Sequence, residues 1–223
     1  VATASSPLGP WTKYERNPII GYGEDGTWDS ESVDCACVLK AAHYDDMKGT
    51  GKGQYFMFYC GVGKDEDEHD RGLRHVGVAT AEHPLGPWTK YEGNPIIKDF
   101  GYLGGVEKID GKLYMFNQFP IGLTDQGNYT TAEAFDPYGP WRKSDEPVIR
   151  AGDWGAWDDG GFSEARFRYS DGVYHCFYGG TKTPKIESIG YAYSFDGKHY
   201  HKYSGNPVVS VGKVPEAQGF AEL

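Results

Sequence analysis

Three carboxylates occupy one position of a recurring strand in this sequence. Aligning the segments that begin Val33-Asp34, Ser163-Glu164 and Ala221-Glu222 places Asp34, Glu164 and Glu222 in one register. Carboxylates that share a pocket raise each other's pKa and separate into acid and base roles. Hydrolysis of a glycosidic bond uses such a pair, with one carboxyl protonating the leaving oxygen and one carboxylate activating water or attacking carbon. The competing interpretation is that these acids cap neighbouring amides or hold a central ion.

A repeated segment indicates which elements position the carboxylates. Its four copies combine a strand of small residues, a tight turn, and a strand carrying Trp or Tyr, and all but one end in Asn-Pro. They read VATASSPLGPWTKYERNPII from Val1, VATAEHPLGPWTKYEGNPII from Val78, TAEAFDPYGPWRKSDEPVI from Thr131 and YAYSFDGKHYHKYSGNPVV from Tyr191. The aromatic residues at the shared position are Trp11, Trp88, Trp141 and Tyr200. With insertions discounted, the period is about 50 residues, which is typical of propeller blades.

Three of the copies follow a hairpin. There is one such hairpin before each of these copies. In chain order the first strands are SVDCACVL, GGVEKI and FSEARFRY, and the return strands are QYFMFYCG, KLYMFNQF and VYHCFYGG. Each complete repeat is therefore four antiparallel strands, and the predicted fold is all-β, of the five-bladed β-propeller type, over a single domain at 1–223. We place complete blades at 32–94, 103–146 and 161–206, a partial blade at 1–20, and the start of a further blade at 216–223.

An open propeller leaves strand edges unpaired. We therefore expect the chain to be a piece of a larger five-bladed protein. The alternative is that its two ends meet in a defective fourth blade.

Several side chains near the strand starts could bind a substrate. Arg166 lies two residues after Glu164 and could hold a carboxylate or a sugar hydroxyl. The other candidates belong to the turns before the inner strands, where indole faces could stack on sugar rings or pack in the core; they are Trp28, Trp154, Trp157 and Asp159. The Trp-Asp pairs that end at Asp29 and Asp158 are interpreted mainly as structural turns before the inner strands. A role in the pocket is the second interpretation. The intervening blade has Leu103 at the acid position, and Glu107 is predicted to lie on the surface.

Composition and motifs argue against several other classes of function, among them nucleic-acid binding and membrane binding. The net charge of -10, without a block of Lys or Arg, argues against nucleic acid and anionic lipid as partners. No apolar run approaches the roughly 18 residues that span a membrane. The cysteines at 35, 37, 60 and 176 lack metal-ligand spacing and are predicted to be reduced, packed thiols, although disulfides stay open. No metal site is predicted, and no nucleotide or serine-hydrolase motif occurs.

A family resemblance adds to this interpretation. The phrases WDSESV, DGKLYMF, YCGVG, VGVATAEHPLGPWTKYEGNPII and SEARFRYSDGVYHCFYGG resemble the five-bladed β-propeller glycoside hydrolases of families 43, 62, 32, 68 and 117. The resemblance implies an exo-acting or debranching, inverting hydrolase of plant or algal saccharides. Glu164 would be its acid, Asp34 its base or pKa modulator, and Glu222 an additional pocket carboxylate.

The resemblance also implies the protein's setting. No cofactor is required, a structural calcium ion near the axis is compatible with the family, and the protein is expected to be secreted or periplasmic. The family's Asp-Pro and Glu-Gly-Pro neighbours are absent, and the inner strand of the first blade, which would supply the base, is not in the sequence. The alternative is a carbohydrate-binding propeller without catalysis, or an inactive fragment. A glycoside phosphorylase would need a basic cluster that Arg166 alone does not supply.

Overall fold

The protein is all-β in the computed structural model, which describes residues 1–41, 54–64, 74–119, 128–144, 146–182 and 186–210. These ranges contain sixteen strands and no α-helix, so the all-β prediction is confirmed. The strands are β1 (Ala2–Thr3), β2 (Thr12–Lys13), β3 (Ser32–Lys40), β4 (Tyr55–Val62), β5 (His75–Ala81), β6 (Thr89–Lys90), β7 (Tyr102–Ile109), β8 (Lys112–Phe119), β9 (Asn128–Ala134), β10 (Arg142–Lys143), β11 (Ile149–Arg150), β12 (Phe162–Ser170), β13 (Val173–Lys182), β14 (Ile186–Ser194), β15 (His201–Lys202) and β16 (Val209–Ser210). Within the described ranges, no helix could cross a membrane.

Consecutive strands form three antiparallel sheets. The first sheet has the order β3-β4-β5-β6, the second has β7-β8-β9-β10 with β11 also on β9, and the third has β12-β13-β14-β15 with β16 also on β14. The short strands β1 and β2 pair with each other. The predicted four-stranded antiparallel units are therefore present, and β3, β7 and β12 are their inner strands.

Two of the hairpins are set by Asp-Gly turns. Asp110 and Gly111 join β7 to β8, and Asp171 and Gly172 join β12 to β13. All four residues have positive φ, with values of 49°, 79°, 52° and 79° respectively. Positive φ at both central residues makes a two-residue turn whose twist matches the flanking strands, and the Asp-Gly pair favours this conformation. The turn chemistry in the sequence thus sets where each inner strand ends.

The sheets pack face to face through two apolar cores. Between the first and second sheets, Phe56 and Phe58 are fully buried against a layer that includes Leu113 and Met115. Between the second and third sheets, the rings of Phe116 and Phe167 stack with centroids 4.3 Å apart. The remaining residues of this second core are mainly aromatic, and they include Tyr129, Phe162, Tyr174 and Tyr178. Packing of successive sheets on alternate faces of their strands produces the blade-like arrangement.

One face of the third sheet is exposed. Phe177 on β13 is 45% exposed and lies 5.0 Å from the ring of Tyr191 on β14. Tyr193 continues this aromatic strip, with Phe195 and Tyr203 at its margin. The corresponding faces of the other two sheets lie in the apolar cores described above.

Candidate active site

The three inner strands lie side by side, with β7 between β3 and β12. The Cys37 thiol on β3 accepts a hydrogen bond from the Val106 amide of β7 at 3.2 Å. On the other side of β7, a Cβ added at Gly104 or Gly105 would come within 3.2–3.3 Å of Phe167 or the Ala165 carbonyl on β12. The absence of a side chain at these glycines therefore permits the close approach of β7 to β12. This packing places the starts of β3 and β12 on either side of the start of β7.

Asp34 is held at the start of β3 by two neighbours. Its Oδ2 accepts a hydrogen bond from the Ser32 hydroxyl at 3.1 Å and lies 3.4 Å from Nε of Arg74. The Arg74 guanidinium in turn sits 4.6 Å from the ring centroid of Tyr102, at the start of β7. Arg74 was not identified from the sequence, where its only signal is a basic residue just before the third strand of the same sheet. The other carboxylate oxygen of Asp34 is buried and has no hydrogen-bond partner among the described residues.

Glu164 is the exposed carboxylate of the group. Its side chain is 51% exposed, and its Oε2 lies 3.8 Å from Nη2 of Arg166. The other guanidinium nitrogen of Arg166 donates to the Ala165 carbonyl at 2.9 Å. The backbone here is fixed from the second sheet, since the Tyr129 hydroxyl donates to the Ser163 carbonyl at 2.9 Å. Glu164 thus presents a solvent-accessible carboxylate beside a cation on a rigid strand.

A buried aspartate network joins the strands of the first sheet. Asp29 is 2% exposed and accepts hydrogen bonds from the Tyr59 hydroxyl at 3.2 Å and from the Lys90 ammonium at 2.6 Å. Asn94 donates to the same tyrosine hydroxyl at 3.3 Å. Burial, reinforced by the Asp29 charge, raises the pKa of Tyr59 far above its ordinary value, so the phenol stays protonated and donates. The Trp28 ring stacks on Tyr59 with centroids 5.5 Å apart.

The third sheet repeats this network residue for residue. Asp158 is 2% exposed and accepts from the Tyr178 hydroxyl at 3.3 Å and from Lys202 at 2.5 Å. The Trp157 ring lies 5.5 Å from Tyr178. Two independent copies of the same contacts support the structural interpretation of the Trp-Asp pairs. Because Trp28 and Trp157 already pack on tyrosine rings, a substrate-binding role for them stays a prediction without geometric support.

The tyrosines of the two networks define equivalent positions in the first and third sheets. Phe58 immediately precedes one tyrosine and Phe177 precedes the other. On the inner strands, Cys37 pairs with Phe58 and Arg166 pairs with Phe177. Cys37 and Arg166 are therefore structural counterparts.

This correspondence separates Asp34 and Glu164 by one position. Counting back from the paired residues, Asp34 corresponds to Ser163, and Glu164 corresponds to Cys35. The predicted equivalence of the two acids is therefore wrong. Both strands carry the same register shift at this point, so the bulge is a shared feature, and the two acids lie one residue apart within it. A displacement of one residue changes the direction of the side chain, which agrees with the deeper position of Asp34.

Glu107 is buried, which corrects the prediction that it lies on the surface. It is 5% exposed on β7, and its Oε1 accepts a hydrogen bond from Nη1 of Arg168 at 3.1 Å. Burial raises the pKa of Glu107, and the neighbouring guanidinium opposes that rise only in part. The sequence suggested exposure because Glu107 stands close to a turn, but β12 packs over this end of β7.

We expect the Glu107→Gln variant to gain stability relative to the wild type as the pH rises above 4.5, the ordinary pKa of this side chain. A raised folded-state pKa means that the folded protein holds the proton more tightly than the unfolded chain does. The wild type therefore loses stability as the pH rises through the unfolded-state and then the folded-state pKa, whereas glutamine does not titrate. Urea unfolding of both proteins between about pH 4 and pH 7 measures the difference in unfolding free energy. A difference that stays constant with pH would contradict this assignment.

The cysteines are free thiols in the structure, in agreement with the prediction. Burial raises the pKa of the Cys37 thiol to about 11, so this group is protonated near neutral pH. A hydrogen bond with Cys35, together with burial, raises the pKa of Cys60. The Cys60 thiol also accepts from the Leu103 amide at 3.2 Å. The thiols therefore help to join β3 and β4 to β7.

The remaining predicted site residues have separate surroundings. Trp154 is 88% exposed. Asp159 accepts a hydrogen bond from the Gly155 amide at 2.7 Å, which closes the turn before β12. Glu222 lies outside the described residues.

Comparison with known proteins identifies the fold. No family model and no curated protein sequence matches the chain. Among solved structures, a family 117 glycoside hydrolase from the marine bacterium Zobellia galactanivorans is 21% identical with a TM-score of 0.59, over 74% of this chain and 55% of that chain. The xyloglucan-locus family 43 protein of Bacteroides ovatus is 20% identical with a TM-score of 0.52, over 75% of this chain and 30% of that chain.

A third similar structure is an enzyme of another class. An N-acetylgalactosamine deacetylase from F. plautii, in complex with blood group B trisaccharide, is 13% identical with a TM-score of 0.61, over 94% of this chain and 61% of that chain. The present chain therefore spans less than two thirds of each of these structures. At such identities the likeness shows the fold alone, and it confirms at that level the resemblance to propeller glycoside hydrolases found in the sequence.

Proposed function

We propose that the protein is a glycoside hydrolase that cleaves sugar residues from the ends of plant or algal poly- or oligosaccharides. The observation that carries the proposal is the solvent-accessible Glu164 carboxylate beside Arg166, at the start of an inner strand. Two of the similar structures described above are glycoside hydrolases by name. No cofactor is needed for this chemistry, because protonation by a carboxylic acid and attack by water supply it.

In the proposed mechanism, Glu164 is the general acid that protonates the leaving oxygen. Its half-exposed side chain can reach a saccharide from solvent, and Arg166 can orient the carboxylate or a sugar hydroxyl. Asp34 acts as the modulating carboxylate rather than the base, because Ser32 and Arg74 already engage its Oδ2. Glu222 is an additional carboxylate of the pocket in this proposal.

We also propose inversion at the anomeric carbon. Inverting enzymes separate their two carboxyl groups by roughly 6.5–9.5 Å to admit a water molecule, whereas retaining enzymes need only about 5–5.5 Å. Because Asp34 is not the base in this proposal, the carboxylate that activates the water would come from a further inner strand, and inversion is proposed from the resemblance to propeller glycoside hydrolases. A hydrolase of plant or algal saccharides would act outside the cytoplasm, and we propose that the protein is secreted or periplasmic.

The second candidate function is carbohydrate binding without turnover. It is favoured by Trp154, whose indole is 88% exposed and could stack on a sugar ring.

Sugar release from a panel of plant and algal oligosaccharides tests the two functions. We expect one class of oligosaccharide to lose its terminal residue, and proton NMR of the first product to show the inverted anomer. Binding of a saccharide without release, measured by calorimetry on the same panel, would favour the second function. Release with retention would leave the hydrolase assignment in place and overturn the inverting mechanism.

A further inference from the structure

A cluster of three metal-binding side chains lies at the start of β3, and the sequence does not reveal it. One ligand atom each from Asp34, Cys35 and Cys60 lies within 4.8 Å of the others. The cluster forms because Asp34 is the cross-strand partner of Cys60. Cys35 has a positive φ of 48°, so it departs from the ordinary extended strand. From the geometry we infer that these three residues bind a thiophilic divalent ion of the zinc class.

The distances suit such an ion after small movements. Zinc–sulfur bonds are about 2.3 Å and zinc–oxygen bonds about 2.0–2.2 Å, so donors of a tetrahedral site stand roughly 3.5–3.8 Å apart. The three ligand atoms lie within 4.8 Å of one another, so a formed site would need them to approach by up to about 1 Å. Thiolate donors select zinc-like ions over calcium and magnesium, which prefer oxygen ligands alone.

The polar groups around the cluster support a ligand there. One oxygen of Asp34 is buried without a hydrogen bond among the described residues, whereas the other accepts from Ser32 and faces Arg74. A buried acceptor is normally satisfied, so an unpaired carboxylate oxygen requires an explanation. An ion bound to this oxygen would supply it.

The charges of the assembled site also balance. Binding would displace one proton from each of the two thiols, so that two thiolates and one carboxylate carry three negative charges. The divalent ion and the Arg74 guanidinium, 3.4 Å from Asp34, carry three positive charges. The Leu103 amide donates to the Cys60 sulfur at 3.2 Å, a contact that orients and stabilises a thiolate ligand. Three protein ligands leave a fourth position open for a water molecule, and Cys35 is only partly buried.

Cadmium binding tests the site, because a cadmium–thiolate bond absorbs in the ultraviolet. Reduced protein freed of metal with a chelator is titrated with Cd²⁺, and then with Zn²⁺ in competition with a coloured chelator. We expect one ion per chain, a thiolate absorption band, release of two protons in weak buffer, and a higher melting temperature with metal. These readouts do not depend on sugar cleavage, so a failure of metal binding can be distinguished from a failure of the proposed hydrolase activity.

Three variants make the test specific. We expect Cys35→Ser to weaken Cd²⁺ binding by more than about 100-fold and Asp34→Asn by at least about 10-fold, since loss of an outer partner alone costs that much. Cys176→Ala is the matched control, because this buried thiol belongs to the core between the second and third sheets. Equal binding by wild type and Cys35→Ser, absence of the thiolate band, or a Cys35–Cys60 disulfide as the only reaction of the two thiols would overturn the inference.

Discussion

The Glu164→Gln variant is expected to lose hydrolysis of unactivated saccharides by about 10²–10⁴-fold, the contribution typical of a general acid. Glutamine retains the shape of the side chain but cannot deliver a proton to the leaving oxygen. The loss should be much smaller for aryl glycosides, whose acidic leaving groups depart without protonation. Initial rates on both kinds of substrate give the two values of kcat/KM, and their ratio reports on the proton-transfer role.

Glu146→Gln is the matched control for this variant. Glu146 is also an exposed glutamate with an arginine at 3.8 Å, Arg150, but it lies outside the inner strands. We expect Glu146→Gln to retain wild-type rates. If Glu164→Gln were as active as this control, Glu164 would not be the acid. An equal loss on both substrate classes would instead point to a role in binding.

The Phe58→Ala variant is expected to lose about 3–5 kcal/mol of unfolding free energy, whereas Phe177→Ala loses less than about 1 kcal/mol. The two residues occupy the same position in the first and third sheets. Phe58 is fully buried and contacts Trp141, the residue just before β10 of the second sheet, with ring centroids 5.9 Å apart. Phe177 is 45% exposed. Truncation of Phe58 therefore leaves a cavity between two sheets, and truncation of Phe177 does not.

Urea unfolding of the two variants beside the wild type measures these losses, with the midpoint and slope fitted together. Because the residue type and the strand position are the same, intrinsic strand propensity cancels in the comparison. Similar losses would mean that the aromatic strip around Phe177 and Tyr191 is covered in solution. Measurements over a range of protein concentrations would then reveal whether another copy covers it.

The local fold could be predicted from the sequence because its signals are contiguous. Asp171-Gly172 lies between two strands with the expected spacing, and the repeat from Val78 ends in the Asn-Pro of Asn94-Pro95. Turn chemistry and alternating strands depend on neighbouring residues, so they are readable without knowledge of the rest of the chain. Asn94 also shows why the repeat persists, since its amide bridges the Val78 backbone at 2.9 and 3.0 Å.

The candidate site could be predicted only in part. Glu164 and Arg166 were found together because they are two residues apart, and the structure places their charged atoms 3.8 Å apart. Arg74 was missed because it meets Asp34 from a segment distant along the chain. Glu107 was misplaced because burial at the end of β7 depends on the packing of Arg168 from another sheet.

The sequence by itself determined the all-β class, the hairpins and the order of four-stranded units, since these follow from local periodicity and turn residues. Only the tertiary structure decided the exact faces of the functional side chains. Asp34 and Glu164 occupy positions one residue apart within a bulge that both strands share, and cross-strand pairing brings Cys60 to Asp34. Both features arise where strands from distant parts of the chain meet, and the lowest-energy register there depends on packing across several strands at once.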